Sequence, residues 1–370
     1  MNSRRFWVKG NRDDYAHYLA RTNNANLLDV SSPFRFEIKS REFSSLILRH
    51  VSVWGQCSNS YHLQDAFIGL MIALPGSGFS TQANGQVDLN PCDHHRIHWQ
   101  FASDDLVYAH HLDSNVIYIR LETARLLREL AQRGLAISDI MALQGQEAST
   151  GLIRLCEPIE VHLEESGTPE ELDQWADRFL IDLVDELQLM GSLKAKRSNS
   201  ASGTHVAASL QWLGNQHTDT AINLEQLAKA INVTPRTIQS SFQNQFRLTP
   251  MRWLKLWRVS ELHRRLFQNH NQSIDANTMV QGSGLGSVST ASKAYRSIHG
   301  KTPQEELRDT NLERNNRARK SHYDRETTYT IDQAIELLSS LKETSKADDS
   351  DAKLITLKIK LSHASRASNY

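Results

Sequence analysis

Residues 224–250, LEQLAKAINVTPRTIQSSFQNQFRLTP, and residues 284–303, GLGSVSTASKAYRSIHGKTP, are two versions of one pattern. Thr234, Phe242, Thr249 and Pro250 recur as Ser287, Tyr295, Thr302 and Pro303, each 53 residues later. Each copy reads as a short helix, a tight turn, a second helix and a Thr-Pro stop. In the first copy Leu224, Leu227, Ala228 and Ile231 mark the buried face of the supporting helix. The small side chain of Ala228 lets the next helix cross closely. Asn232 stands where the turn needs a positive φ, which Asn tolerates better than most residues. Thr234 and Pro235 then supply an N-cap and an N1 proline. Ile238, Phe242 and Phe246, four apart, form the inner stripe of the second helix, which turns Arg236, Gln239, Ser240 and Gln243 outward.

The second copy repeats the plan with a turn one residue longer. Met279 and Val280 take the places of Leu227 and Ala228, and Gly284 takes that of Asn232. Ser287 is the expected cap, with Ala291 and Tyr295 inward and Ser289, Ser292, Lys293 and Arg296 outward. Arg and Gln suit guanine and adenine edges, whereas Lys and Arg also grip phosphates, which sets register without reading sequence. Between the copies, Met251–Gln268 reads as one helix rich in Trp253, Leu254, Trp257, Val259, Leu262 and Leu266, a strut fixing the distance between two reading heads.

Charge supports this reading. The formal net charge of the 370 residues is zero, but residues 192–325 hold 20 Lys/Arg against 9 Asp/Glu, and residues 1–191 hold 16 against 26. A basic segment around the duplicated helices is what polyanion binding requires, since each neutralised phosphate releases counterions. The length allows two or three domains. No apolar run approaches the roughly 18 residues that span a bilayer, and Arg4 and Arg5 are followed by no apolar signal core, so a cytoplasmic protein is expected. Cys57, Cys92 and Cys156 form no C-x-x-C pair, consistent with a reduced compartment and no zinc ribbon.

The N-terminal half has β-type patterning. Leu46–Val51 alternates and ends at Trp54-Gly55; Ala66–Leu74 is almost continuously apolar and stops at Pro75-Gly76-Ser77-Gly78. Asn84-Gly85 is a hairpin signal, and further strands fit Val87–Leu89, Ile97–Phe101, Leu106–His110 and Val116–Leu121. This spacing predicts a β-sandwich or small barrel. Helical periodicity begins near Glu122 with Leu126, Leu127, Leu130 and Ala131, ending at Gly134. A longer helix runs from Thr168-Pro169 to Met190, with Leu172, Trp175, Phe179, Leu180, Leu183 and Leu187 on one face.

The expected architecture is therefore α+β. Residues 1–33 form a weakly ordered lead-in, 34–190 a β-sandwich domain with flanking helices, and 191–203 a small, polar, basic linker. Residues 204–310 form an all-α domain of two helix-turn-helix units joined by a long helix, and 311–370 a polar, partly disordered tail.

Cys92-Asp93-His94-His95-Arg96-Ile97-His98 is a candidate metal cluster, with His110 and His111 on a plausible partner strand. A cupin site needs a Glu soon after its H-x-H pair, and here the next one is Glu122. Surface or hydrogen-bonded histidines are the simpler expectation. His62, Trp54 and Trp99 could line a pocket or fill a core. No G-x-S-x-G, P-loop, dinucleotide fingerprint or H-E-x-x-H occurs, so no catalytic residue, metal or cofactor is assigned. The alternatives are a cupin-type metal enzyme, or an adaptor, carrying a degenerate DNA-binding module.

Residues about 205–308 resemble the DNA-binding domain of AraC/XylS-type transcription regulators. The resemblance rests on L-x-x-L-A-x-x-x-N-V-T-P-x-x-I-x-x-x-F, then a T-P opening a helix that carries Arg258, then G-L-G-S-x-S-x-x-S-K-A-Y-R-x-x-x-G-K-T-P. It departs where that family usually has large aromatics, at Leu285, Ala291 and His299, a Gly at Arg247, and a basic residue at Ser240. The lost aromatics shrink the second core, so the second unit is expected to be less stable or weaker in binding, while at Ser240 the first unit is expected to lack one usual contact. More loosely, Phe67–Leu121 resembles the cupin-like sensor domains attached to such regulators. The resemblance implies a bacterial, non-enzymatic regulator, activator or repressor, acting at the nucleoid. Its expected partners are double-stranded DNA, RNA polymerase, a small-molecule effector and a second copy of itself.

Overall fold

The computed structural model describes residues 4–22, 25–61, 66–82, 91, 93–102, 107–156, 169–192, 201–268 and 275–309. The hairpin signal at Asn84-Gly85, the strand at Val87–Leu89, His62, Cys92, the Thr168 cap and the 311–370 tail lie outside them.

Residues 4–122 hold two antiparallel sheets and one helix, and the other described helices follow them. The strands are β1 (Arg4–Gly10), β2 (Ala25–Val30), β3 (Arg35–Glu42), β4 (Leu46–Trp54) and β5 (Gln56–Tyr61), then β6 (Phe67–Ala73), β7 (Gly78–Gln82), β8 (Arg96–Gln100), β9 (Val107–Leu112) and β10 (Asn115–Glu122). One sheet has the order β1-β3-β4-β10-β6-β8 and the other β2-β5-β9-β7. Alternation decides the faces. Phe36, Ile38, Val53, Met71, Ala73 and Val116 of the first sheet meet Cys57, Phe79 and Ala109 of the second in one buried core. The opposite residues of the first sheet, among them Leu48, Leu70, Ile97 and Ile119, pack instead against helices. Buried on both faces, β6 has no polar side, which is why its sequence reads as a continuous apolar run.

The lead-in is a correction to the sequence reading. Residues 4–30 form β1, a helix α1 (Arg12–Thr22) and β2. The β1 strand pairs along its length with β3, from Arg4↔Glu42 to Gly10↔Phe36. Tyr15, Tyr18 and Leu19 of α1, spaced i, i+3 and i+4, are buried in the sandwich core. Three apolar positions in a polar stretch make a faint helical signal; the sheet beneath them supplies the order.

Helices α2 (Thr123–Gln132), α3 (Ile137–Met141), α4 (Thr150–Cys156) and α5 (Pro169–Ser192) follow the sheets. Gly134, at φ +69, ends the α2 segment where the sequence placed its stop. The expected linker is also shorter than its composition suggested, since Gly191 and Ser192 close α5 while 201–203 open α6 (Ala201–Asn215). Then come α7 (Leu224–Ala230), α8 (Pro235–Phe246), α9 (Pro250–Gln268), α10 (Ala276–Gln281) and α11 (Val288–His299). Residues 303–309 form a last described helix, α12.

Candidate nucleic-acid interface

Both duplicated units are built as their sequences require. In the first, Asn223 caps α7 by accepting from the Gln226 N–H, and Asn232 takes φ +57 in the turn. Thr234 caps α8 by accepting from Thr237 N–H at 3.1 Å, with Pro235 behind it. Ile238, Phe242 and Phe246 are buried, and α6 packs along α8 from behind. Arg236, Gln239, Ser240 and Gln243 consequently share one exposed face.

In the second unit, Asp275 caps α10 and Ser287 caps α11, accepting from Thr278 and Thr290. The longer turn uses two glycines, Gly284 at φ +73 and Gly286 at φ +86. A Cβ on Gly284 would lie 2.1 Å from the His217 carbonyl oxygen, so close approach and backbone angle both demand glycine there. Ser289, Lys293 and Arg296 are exposed on α11, and Ser292 is half-buried beside them. The eight residues picked from sequence thus lie on the outer faces of α8 and α11, four on each.

The second core is closed by a device the sequence did not reveal. Ala291 and Tyr295 are fully buried, and His299 occupies the position equivalent to Phe246. Its ring stacks on His263 of α9 at 4.2 Å and on Tyr295 at 4.5 Å. The Tyr295 hydroxyl and His263 Nδ1 are 2.7 Å apart. Phe67 of β6 meets His299 edge-on at 5.9 Å and carries the Arg120 guanidinium over its ring at 3.6 Å. The aromatic surface missing from the repeat is therefore supplied by α9 and β6.

The α9 helix does more than join the two units. Trp253 and Trp257 stack at 5.3 Å, and Trp253 donates through Nε1 to the Ala124 carbonyl of α2 at 3.0 Å. Beside them is a buried ion cluster centred on Arg125 of α2. Its Nε is 2.9 Å from Glu122 and 3.0 Å from the Ser260 hydroxyl, and its Nη2 is 2.8 Å from Glu261. Asp177 of α5 is 3.9 Å away and is shared with Arg264 at 3.2 Å. On the other side, Arg258 donates to the His217 carbonyl at 2.7 Å and Arg265 to that of Gly282 at 2.9 Å. One hydrophobic core continues from Leu121, Leu126 and Leu127 into Leu254, Leu256 and Ile298. The helix joining the two units is thus also seated on the β-rich half.

The histidines singled out in the sequence are dispersed by the sheet rather than brought together. His98 faces the sandwich interior, edge-on to Phe79 at 5.0 Å, and burial pushes its pKa down to about 4. His111, 4.9 Å from Phe79, is pushed down to about 3 for the same reason, and its Nδ1 is 2.6 Å from the Ser114 hydroxyl. His110 alternates to the opposite face and meets Ser58 at 2.8 Å. Among the described residues no three His, Cys, Asp or Glu side chains converge as metal ligands. Among them, also, no helix is long and apolar enough to cross a membrane. Trp99 is buried in the core, whereas Trp54 lies at the surface beneath the Arg35 guanidinium, 4.2 Å from its ring centre.

Comparison with known proteins agrees with the local geometry. A family described as "Helix-turn-helix domain" matches residues 227–309. A probable thc operon regulatory protein of Rhodococcus erythropolis is 29% identical over 92 residues, which is 25% of this chain and 28% of that protein. The chain thus spans less than a third of that relative. Among solved structures, the AraC-like transcriptional activator CuxR aligns with 71% of this chain and 96% of its own, at 12% identity and a TM-score of 0.39. ToxT from Vibrio cholerae aligns with 74% and 97%, at 10% identity and a TM-score of 0.35. The capped helix pairs, their positive-φ turns and the matched segment lead to one conclusion: residues 227–309 form a helix-turn-helix domain.

Proposed function

We propose that this chain is a sequence-specific transcription regulator of the AraC/XylS type that inserts α8 and α11 into successive major grooves. The observation that carries this reading is the pair of capped helices, each presenting an exposed polar face within the basic segment of the chain. Helix-turn-helix proteins place such a helix in the major groove, with half-sites about one helical turn apart. Arg236, Gln239, Ser240 and Gln243 contact one half-site, and Ser289, Ser292, Lys293 and Arg296 the other. Residues 34–190 sense a small-molecule signal or pair subunits, residues 204–310 bind DNA, and RNA polymerase is the downstream partner. The site of action is the cytoplasmic nucleoid, and no enzymatic step is assigned.

The test is binding of the full chain to a selected duplex and to random duplexes at several salt concentrations. Specific binding should exceed non-specific binding by about 10³-fold or more. A steep salt slope with no sequence preference would sink the proposal. Arg236→Ala should weaken binding and relax preference at one position; an equal loss on every sequence would mean that it only grips phosphate.

A further inference from the structure

The two units differ in charge at corresponding positions of their second helices and Thr-Pro stops. Arg296 of α11 corresponds, 53 residues on, to Gln243 of α8, and Glu305 of α12 corresponds to Arg252 of α9. In the second unit these two residues meet, with Arg296 Nη2 3.6 Å from the Glu305 carboxylate. We infer that Glu305 is a positioning residue for Arg296, holding its guanidinium for a base edge and discouraging contact with phosphate alone. This rests on the DNA-binding reading above and extends it, because it gives the second unit a share of the sequence preference.

Glu305 is itself fixed. Its Oε2 accepts from the Thr302 backbone N–H at 2.7 Å and from the Thr302 hydroxyl at 2.9 Å. These bonds, with a smaller contribution from Arg296, hold its carboxyl below the usual carboxylate range, so it is ionised at neutral pH. The acid is not required to start the helix. In the first unit Thr249 receives the Arg252 N–H at 3.2 Å, just as Thr302 receives that of Glu305 at 3.2 Å, with no acid at the equivalent place.

A residue meant only for phosphate gains nothing from a carboxylate beside it, since that charge repels the phosphate it should hold. Beside a base edge the balance reverses. A fixed acceptor narrows the rotamers of a long side chain, reducing what is lost on binding, while the rest of the fork remains for guanine O6 and N7. The same carboxylate penalises unspecific backbone contact, and specificity needs a repulsive element as well as an attractive one. Lys293, one turn earlier on the same face, makes no ion pair among the described residues and supplies the unmodified phosphate grip.

The test uses the full chain and a duplex selected from a random pool, with every base pair of the selected site then varied singly. Glu305→Gln keeps an acceptor for Thr302 and removes the charge. It should tighten binding to random duplexes by a few-fold and cut discrimination about tenfold at one base pair in the second half-site. Arg296→Lys, which leaves the Thr302 cap intact, should lose discrimination at that same base pair. Two results overturn the inference: Glu305→Gln shifting all duplexes by one common factor, or Arg296→Lys leaving every position within twofold of wild type. A wild-type chain that selects no site at all overturns the proposed function and this inference together, and is recognised before any variant is made.

Discussion

Arg125→Ala should destabilise the protein by about 3–5 kcal/mol at neutral pH, the usual cost of breaking a buried ion pair. The magnitude follows from what is left behind. Arg125 is 7% exposed and Glu122 is 6% exposed, so removing the guanidinium strands a carboxylate away from water, with Glu261 close by and no cation between them. Asp177 adds little to the loss, because it is more exposed, lies 3.9 Å from Arg125, and keeps Arg264. Urea unfolding of the full chain by tryptophan fluorescence reads this directly, since Trp257 has the Arg125 and Arg128 guanidinium carbons 5.4 and 4.9 Å from its ring centre. The double variant Arg125→Met/Glu122→Gln, which leaves no lone buried charge at that pair, should recover about half of the loss. A single-variant cost under about 1 kcal/mol, or a double variant no more stable than Arg125→Ala, would refute the claim that this cluster secures α9 to α2.

Phe242→Ala should cost about 3–5 kcal/mol, since the ring is fully buried, and chemical denaturation would measure it; a near-neutral result would mean the first unit collapses around the gap. Arg247 ends α8 at φ +54, so Arg247→Gly should raise the thermal midpoint, worth about 0.5–1 kcal/mol, where a lower midpoint would show that the side chain is needed. His98 and His111 are pushed down to about 4 and about 3 by burial, against about 6.5 in the unfolded chain. Between these values the unfolded state binds more protons, so stability should fall as pH drops from about 7 towards 4, and His111→Gln should make that slope shallower in thermal melts. Stability that rises on acidification over this range contradicts the argument. Burial pushes the Cys57 and Cys156 thiols up to about 12, so iodoacetamide should modify them only after unfolding, as peptide mapping would reveal.

Much of the helix-turn-helix half was legible because its signals are local. Thr234, Ser287, Asn232 and Gly284 each answer a backbone demand made within three or four residues, and each meets it. The strands at Leu46–Trp54 and Asn115–Glu122 were equally plain from period and punctuation. Residues 4–30 were not, because β1 draws its order from a ladder to β3, and α1 from a core that its three apolar residues only complete.

The amino-acid sequence by itself determined the duplicated units, their caps and turns, and the eight side chains that point outward, since helix period and capping depend on near neighbours alone. Tertiary structure decided what those units rest on. His299 replaces a missing aromatic only because His263 and Phe67, distant in the chain, come to lie beside it. Arg125 finds Glu261, and Arg296 finds Glu305, through packing that no local period encodes. Burial and long-range pairing are properties of the closed core, and they gave the two copies of one local pattern different surroundings.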